Sequence, residues 1–144
     1  MKKLFIYYSL SGNGDIVADY LKDKKIEIRK VNIAYKFPKS FFLRIMVGGF
    51  KTLINYKEKI IDFDYDISKY DEILIGSPIW NDRLSTPIST ILDKLDLQNK
   101  KITFILYSGS GKNIKATEFI NKNYNARIIN LKDPKKNKDE IKKI

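Results

Sequence analysis

A run of small residues near the start of the chain has the composition of a phosphate-binding loop. It follows directly on the apolar run Lys3–Tyr8 and consists of Ser9, Leu10, Ser11, Gly12, Asn13 and Gly14. Small residues let backbone N–H groups turn onto an anion, the serines add hydroxyl donors, and a helix predicted from Asp15 onward points its positive dipole end at the same place. The loop lacks the lysine of the nucleoside-triphosphate motif. The pattern therefore favours a phosphomonoester, with a plain tight turn as the alternative.

Two later segments are also rich in Gly, Ser, Pro or Trp and also follow apolar runs. They span residues 77–83 and 107–112. In an open parallel sheet, ligands bind beyond the carboxyl ends of the strands, where all such loops emerge. The three segments are therefore expected to meet at one edge of a sheet and to form one site.

Five apolar segments alternate with helical patterns, which predicts a parallel α/β sheet with right-handed crossovers. The predicted strands are Lys3–Tyr8, Lys25–Ile33, Asp71–Ser77, Lys101–Tyr107 and Ala126–Leu131. The length of 144 residues suits one domain, 1–144. The final helix looks truncated, since only Ile141 and Ile144 are apolar there.

The segment from Phe37 to Tyr56 lies where a crossover helix should be, and we predict a helix broken at Gly48–Gly49. Four apolar residues fall on one helical face, and we expect that face to pack on the sheet; they are Phe42, Met46, Phe50 and Leu53. The alternative is an interfacial helix on a membrane or a partner, because cations flank the same face.

The chain contains neither cysteine nor histidine. Disulfides, thiolate metal sites and a cysteine nucleophile are excluded, and the usual neutral-pH base is missing. We therefore predict no catalytic side chain and no metal site, and expect any chemistry to belong to a cofactor. The apolar start is too short for a signal sequence or a membrane span, so we expect a cytoplasmic protein without integral membrane association.

The formal net charge is +11 and is concentrated in two segments. Residues 36–59 hold six basic residues and one acid, and residues 132–144 hold six lysines and three acids. Such a charge fits an acidic partner, nucleic acid or an anionic membrane. No nucleic-acid motif accompanies it, so we predict no nucleic-acid binding. The alternative is biased composition with solvated surface lysines.

The motifs taken together resemble the flavodoxin family over nearly the whole chain. Residues 9–14 resemble its phosphate loop [ST]-x-[ST]-G-N-T, and residues 71–80 resemble its third strand and the aromatic loop that follows. Residues 97–101 and 108–111 resemble the segments on either side of its fourth strand. This resemblance implies a flavodoxin-like three-layer sandwich, with a five-stranded parallel sheet in the order 2-1-3-4-5 and helices on both faces.

The resemblance also implies that FMN is the cofactor. The phosphate loop is expected to hold its phosphate, Trp80 to stack on the isoalloxazine ring, and Asn81 with the backbones of Gly109 and Ser110 to bond the ring's polar edge. The cofactor-binding residues expected beyond the phosphate loop are Pro78, Ile79, Trp80, Asn81, Ser108, Gly109, Ser110 and Gly111. For Trp80, the alternative is a ring folded back on the sheet edge.

The expected function is electron transfer through FMN to or from a redox partner, which would carry an acidic docking surface, by a monomer or homodimer. Three features depart from the family: Gly14 replaces a threonine, no second stacking aromatic is evident, and the chain is basic where flavodoxins are acidic. Two alternatives stay open. One is an NAD(P)H-dependent FMN or quinone reductase of the same fold, and the other is a flavin-free basic binding module.

Overall fold

The computed structural model describes residues 1–144. Its strands are β1 (Lys3–Tyr7), β2 (Glu27–Lys30), β3 (Asn32–Ile33), β4 (Ile60–Ile61), β5 (Glu72–Trp80), β6 (Arg83–Leu84), β7 (Lys101–Ser108) and β8 (Ala126–Lys132). Its helices are α1 (Asn13–Asp23), α2 (Phe41–Leu53), α3 (Thr86–Leu92) and α4 (Ile114–Asn123), followed by a short 3-10 helix, Lys138–Lys143.

The five long strands form one parallel sheet in the order β2-β1-β5-β7-β8. Counted among these five strands, that order is 2-1-3-4-5, so the flavodoxin-like α/β fold is confirmed. β6 adds to the sheet as an antiparallel partner of β5, and β3 pairs with β4 in a separate two-stranded ribbon. The second predicted strand, 25–33, is therefore divided between β2 and β3.

Both faces of the sheet are covered, which explains the continuous apolar runs of its central strands. Alternate residues of β1 point to opposite sides: Phe5 packs under α1 with Val17 and Leu21, and Ile6 packs on the other side with Ile88 of α3 and Ile120 of α4. Ile144, after the 3-10 helix, packs against the α1 side. The loops at the carboxyl ends of β1, β5 and β7 are thus held by a core that is buried on both sides.

The strand before the aromatic segment is longer than predicted. β5 continues through Trp80, so Pro78, Ile79 and Trp80 lie in a strand and not in a loop. Asn81 and Asp82 then have φ values of 51° and 56° and turn the chain tightly into β6. Two successive positive φ angles are typical of a type I′ hairpin turn, which Asn and Asp tolerate.

Helix α2 differs from the prediction in two ways. It runs unbroken through Gly48–Gly49, because Gly48 is needed for close packing: a Cβ atom there would lie 3.0 Å from the indole of Trp80. The predicted packing face was wrong, since Phe42 and Phe50 point outward with 68% and 62% of their surface exposed.

The inner face of α2 is polar and small. Lys51 is buried and pairs with the buried Glu58 at 2.7 Å, and Thr52 lies beside it. The close approach at Gly48 and this ion pair fix how the helix is rotated, so its apolar side faces away from the sheet. None of the helices is long and apolar enough to cross a membrane.

Candidate functional site

The phosphate-loop candidate joins β1 to the first turn of α1. Ser9 Oγ accepts hydrogen bonds from the amides of Gly12 and Gly14 at 3.2 and 3.1 Å, and Gly12 has a φ of +102°. Ser9 therefore folds the loop and is not free to bind a ligand through the same lone pairs. Three other amides around the helix start have no acceptor in the protein, those of Ser11, Asn13 and Asp15. An anion at a helix start is stabilised by such donors.

Lys135 reaches this loop from the segment after β8. Its ammonium donates to the Ser11 carbonyl at 3.0 Å, and its backbone amide donates to Asn13 Oδ1 at 2.9 Å. Its Nζ lies 3.3 Å from the position that a Cβ atom on Gly12 would occupy. Sequence reasoning missed Lys135, because it is one of six lysines in a tail whose spacing gives no sign of where the chain folds back.

Gly14 is required by its surroundings. A Cβ atom there would lie 2.5 Å from the hydroxyl oxygen of Tyr107 and 2.9 Å from both Ser9 Cβ and Tyr7 Cδ2. The Tyr107 hydroxyl donates to the Tyr8 carbonyl and is held beneath the loop. The glycine that replaces the family's threonine therefore leaves room for a tyrosine, and Tyr107, only 2% exposed, cannot stack on a ligand.

Asp15 is neutralised within the first turn of α1. Its Oδ1 accepts from the Tyr7 hydroxyl and from the Lys30 ammonium, each at 2.8 Å. Burial raises the pKa of Asp15, but hydrogen bonds from Lys30 and Tyr7 outweigh it, so the pKa lies below its usual value. Burial of Tyr7 raises the pKa of its hydroxyl, and the hydrogen bond and negative charge of the neighbouring Asp15 raise it further. The carboxylate next to the loop is thus paired with a cation, and its repulsion of an anion is reduced.

Trp80 lies at the end of β5, half-buried in an aromatic cluster. Its ring meets Tyr8 edge-on at 5.9 Å between centroids and Phe37 at 5.3 Å, while Gly48 of α2 contacts the indole. The ring is therefore folded partly onto the sheet edge, as the alternative anticipated, and the remainder is open. Among the other candidates, Leu10 and Ile79 pack partly against the core.

The third loop, after β7, is held by its own serines. Ser108 Oγ accepts from the Gly111 amide at 3.0 Å, and Ser110 Oγ accepts from the Lys112 amide at 3.1 Å. A Cβ atom on Gly109 would contact nothing within 4 Å, so the backbone there is open to a ligand.

Direct contacts bring the three loops to one edge of the sheet. The Tyr107 hydroxyl links the end of β7 to Tyr8 at the start of the phosphate loop. The Lys115 amide of α4 donates to Asp82 Oδ2 in the turn after Trp80 at 3.1 Å. The other carboxylate oxygen of Asp82 is buried without a hydrogen-bond partner. Sequence reasoning did not place Asp82 in the site; the signal available was its position next to Asn81.

This edge can hold a phosphate at one end and a flat, partly polar ring at the other. The phosphate end offers amides, the Ser11 hydroxyl and the Lys135 ammonium. The ring end offers an indole surface and an open loop backbone. The donor set thus fits a flavin mononucleotide.

Comparison with solved structures finds the same architecture. A flavoprotein from Bacteroides eggerthii DSM 20697 matches with a TM-score of 0.76 at 20% identity, covering 98% of this chain and 96% of that one. A flavoprotein from Lactobacillus acidophilus NCFM, solved in complex with FMN, matches with a TM-score of 0.68 at 26% identity, covering 96% and 97%. Flavodoxin 1 from Bacillus cereus matches with a TM-score of 0.50 at 18% identity, covering 99% and 96%.

A comparison with curated protein sequences finds no match. The model of the family described as NADPH-dependent FMN reductase matches residues 1–134. The resemblance stated from the motifs is thereby confirmed at the level of a flavodoxin-like, FMN-binding family. The chain, matched over almost its entire length, belongs to the NADPH-dependent FMN reductase family.

Proposed function

We propose that the protein binds one FMN at the carboxyl edge of the sheet and transfers electrons through it. The observation that carries the proposal is the phosphate loop. The unpaired amides of Ser11, Asn13 and Asp15 lie there at the start of α1, and the Lys135 ammonium contacts the same loop. A phosphate dianion accepts hydrogen bonds from donors of both kinds, backbone amides and an ammonium group. The family match and the FMN complex of the Lactobacillus relative support the choice of cofactor.

The ring of FMN would lie toward the second and third loops. Trp80 offers its open indole surface, and Asn81 together with the backbones of Gly109 and Ser110 offers uncharged donors and acceptors for the polar edge. Ile79 holds the end of β5 in the core, and Ser108 shapes the third loop through its bond to Gly111. These residues bind and orient the ring.

When bound, FMN supplies the redox chemistry, because it exchanges electrons one or two at a time. The protein offers no histidine or cysteine for proton transfer. Burial raises the pKa of Tyr8 and of Tyr107, so both hydroxyls stay protonated at neutral pH. The tyrosines around the loop therefore act as hydrogen-bond donors and packing groups, and the polypeptide sets the environment of the flavin.

We propose electron transfer with a redox partner that carries an acidic docking surface, because the net charge of +11 favours association with an acidic protein. The family match favours a second candidate, direct reduction by NADPH. Anaerobic mixing of the FMN-loaded protein with NADPH separates the two. Bleaching of the flavin absorbance within seconds supports the reductase, and unchanged absorbance supports a carrier that needs a partner.

The cofactor proposal is tested by titrating the flavin-free protein with FMN and with riboflavin, which has the same ring and no phosphate. Flavin fluorescence and Trp80 fluorescence report on the two ends of the site. Binding of FMN about a hundredfold tighter than riboflavin is expected if the loop holds the phosphate, since several charge-assisted hydrogen bonds are lost with riboflavin. Equal affinities would show that the loop is not a phosphate site.

A further inference from the structure

The outer side of α2 is an uncovered apolar surface. Eight large apolar side chains between 46% and 74% exposed make up this surface, which we call the α2 apolar face: Phe41, Phe42, Leu43, Ile45, Met46, Phe50, Leu53 and Ile54. They form a contiguous run along 14 residues, which is unusual for the surface of a monomer. Such a patch marks a surface that binds something.

The structure keeps this face outward. Lys51 and Glu58 are paired on the inner side, and Glu58 also accepts from the Thr86 hydroxyl at 2.8 Å. Turning α2 over to bury its apolar side would take Lys51 away from Glu58 and leave a buried carboxylate without its cation. The same rotation would move Gly48 away from Trp80 and bring a residue with a larger side chain against the indole. The face is therefore a fixed feature of the fold.

Most of the charge around the α2 apolar face is positive. Glu58, the only acid between residues 36 and 59, is buried and neutralised by Lys51. Five further cations lie in that stretch: Lys36, Lys39, Arg44, Lys57 and Lys59. Lys57 is paired with the Asp93 carboxylate at 2.5 Å, which leaves four. Of these four, two precede the helix and one follows it, so the apolar side chains are flanked by positive charge at both ends.

Exposed apolar side chains flanked by positive charge distinguish between the possible binding partners of the α2 apolar face. A second copy docked on the same face would bring two positive rims together, and like charges at an interface are costly. Transient redox interfaces between proteins are small and only about as apolar as the rest of a protein surface, unlike this face. An anionic lipid surface offers hydrocarbon for the apolar side chains and phosphate for the cations.

We propose that α2 is a membrane-binding helix that lies in the headgroup region of an anionic phospholipid bilayer. Its 13 residues make a rod about 20 Å long, which rests in the plane of the membrane with its apolar side chains inserted. Because Gly48 contacts Trp80, the bound bilayer would lie beside the cofactor edge of the sheet. The inference does not depend on FMN binding.

The test is co-sedimentation of the full chain with vesicles of phosphatidylcholine alone and of phosphatidylcholine with about 30% phosphatidylglycerol, at low and high salt. Two variants with the same change of charge are compared. Phe42→Asp alters a side chain that is 68% exposed on α2, and Ile114→Asp alters one that is 67% exposed on α4. Circular dichroism checks that both variants are folded.

We expect the wild-type protein to bind the anionic vesicles at least tenfold more tightly than the neutral ones. Phe42→Asp should weaken binding to the anionic vesicles about tenfold or more, and Ile114→Asp should bind them within twofold of wild type. Equal weakening by both variants would overturn it, because binding would then follow net charge alone. Absence of vesicle binding would also overturn it. In that case, a dimer in size-exclusion chromatography that Phe42→Asp converts to monomer would assign the face to a second copy.

Discussion

Replacing Gly14 with alanine tests whether the phosphate loop is packed as tightly as the structure indicates. The new Cβ atom would lie 2.5 Å from the Tyr107 hydroxyl oxygen, well inside contact distance. Tyr107 is 2% exposed and its hydroxyl is bonded to the Tyr8 carbonyl, so the ring cannot swing into solvent. Overpacking a buried site costs about 1–3 kcal/mol, and losing one buried hydrogen bond adds roughly 1 kcal/mol.

Alanine also has an advantage over glycine near a helix start, up to about 1 kcal/mol. We therefore expect Gly14→Ala to lower the free energy of unfolding by about 1–3 kcal/mol, which at a typical urea dependence moves the midpoint down by roughly 0.5–1.5 M. Urea unfolding followed by circular dichroism measures this shift.

Gly109→Ala is the matched control, since its Cβ would contact nothing within 4 Å. It is expected to change stability by less than about 0.5 kcal/mol. On a Tyr107→Phe background, where the crowded oxygen is gone, Gly14→Ala should cost less than it does alone. If Gly14→Ala is as stable as wild type, the close approach of Tyr107 to the loop is not a property of the protein.

Three further outcomes are expected. Lys135→Met should weaken FMN binding about five- to tenfold in fluorescence titration and leave the affinity for riboflavin unchanged, because only FMN carries the phosphate. An equal loss of affinity for both flavins would show that Lys135 does not contact the phosphate. Lys51→Met should destabilise the fold by about 3–5 kcal/mol in urea unfolding by leaving Glu58 buried without a cation, and a loss below 1 kcal/mol would contradict the buried pair. Asp15→Asn should destabilise at neutral pH. The pKa of Asp15 in the folded protein is depressed below 3.8. The stability that the Asp15 carboxylate contributes is therefore complete above pH 3.8 and is lost as the pH falls through the depressed pKa. A difference in stability between Asp15→Asn and wild type that does not change with pH would contradict this.

Most of the fold could be predicted from the chain because each parallel strand is buried on both faces and reads as an apolar run. β1 and β7 were predicted to within one residue at each end. The length of β5 was underestimated. A proline such as Pro78 usually indicates the end of a strand, and the single aromatic residue Trp80 does not by itself show the alternating pattern of a strand. The Asn81–Asp82 turn was the missed signal, because both residues tolerate a positive φ.

The orientation of α2 could not be predicted from periodicity. Phe42 and Phe50 do share one face, as predicted, but the hydrophobic pattern does not say which way that face points. The deciding contacts are Gly48 on Trp80 and Lys51 on Glu58. Each of these two contacts joins residues that come close together only when the chain is folded. Lys135 at the phosphate loop was missed for the same reason.

FMN binding is tested most directly by the visible spectrum of the protein after incubation with FMN and removal of free flavin on a desalting column. We expect a retained flavin spectrum with close to one FMN per chain and quenched Trp80 fluorescence. A colourless protein with unchanged Trp80 fluorescence would contradict the claim that the loops after β1, β5 and β7 form an FMN site.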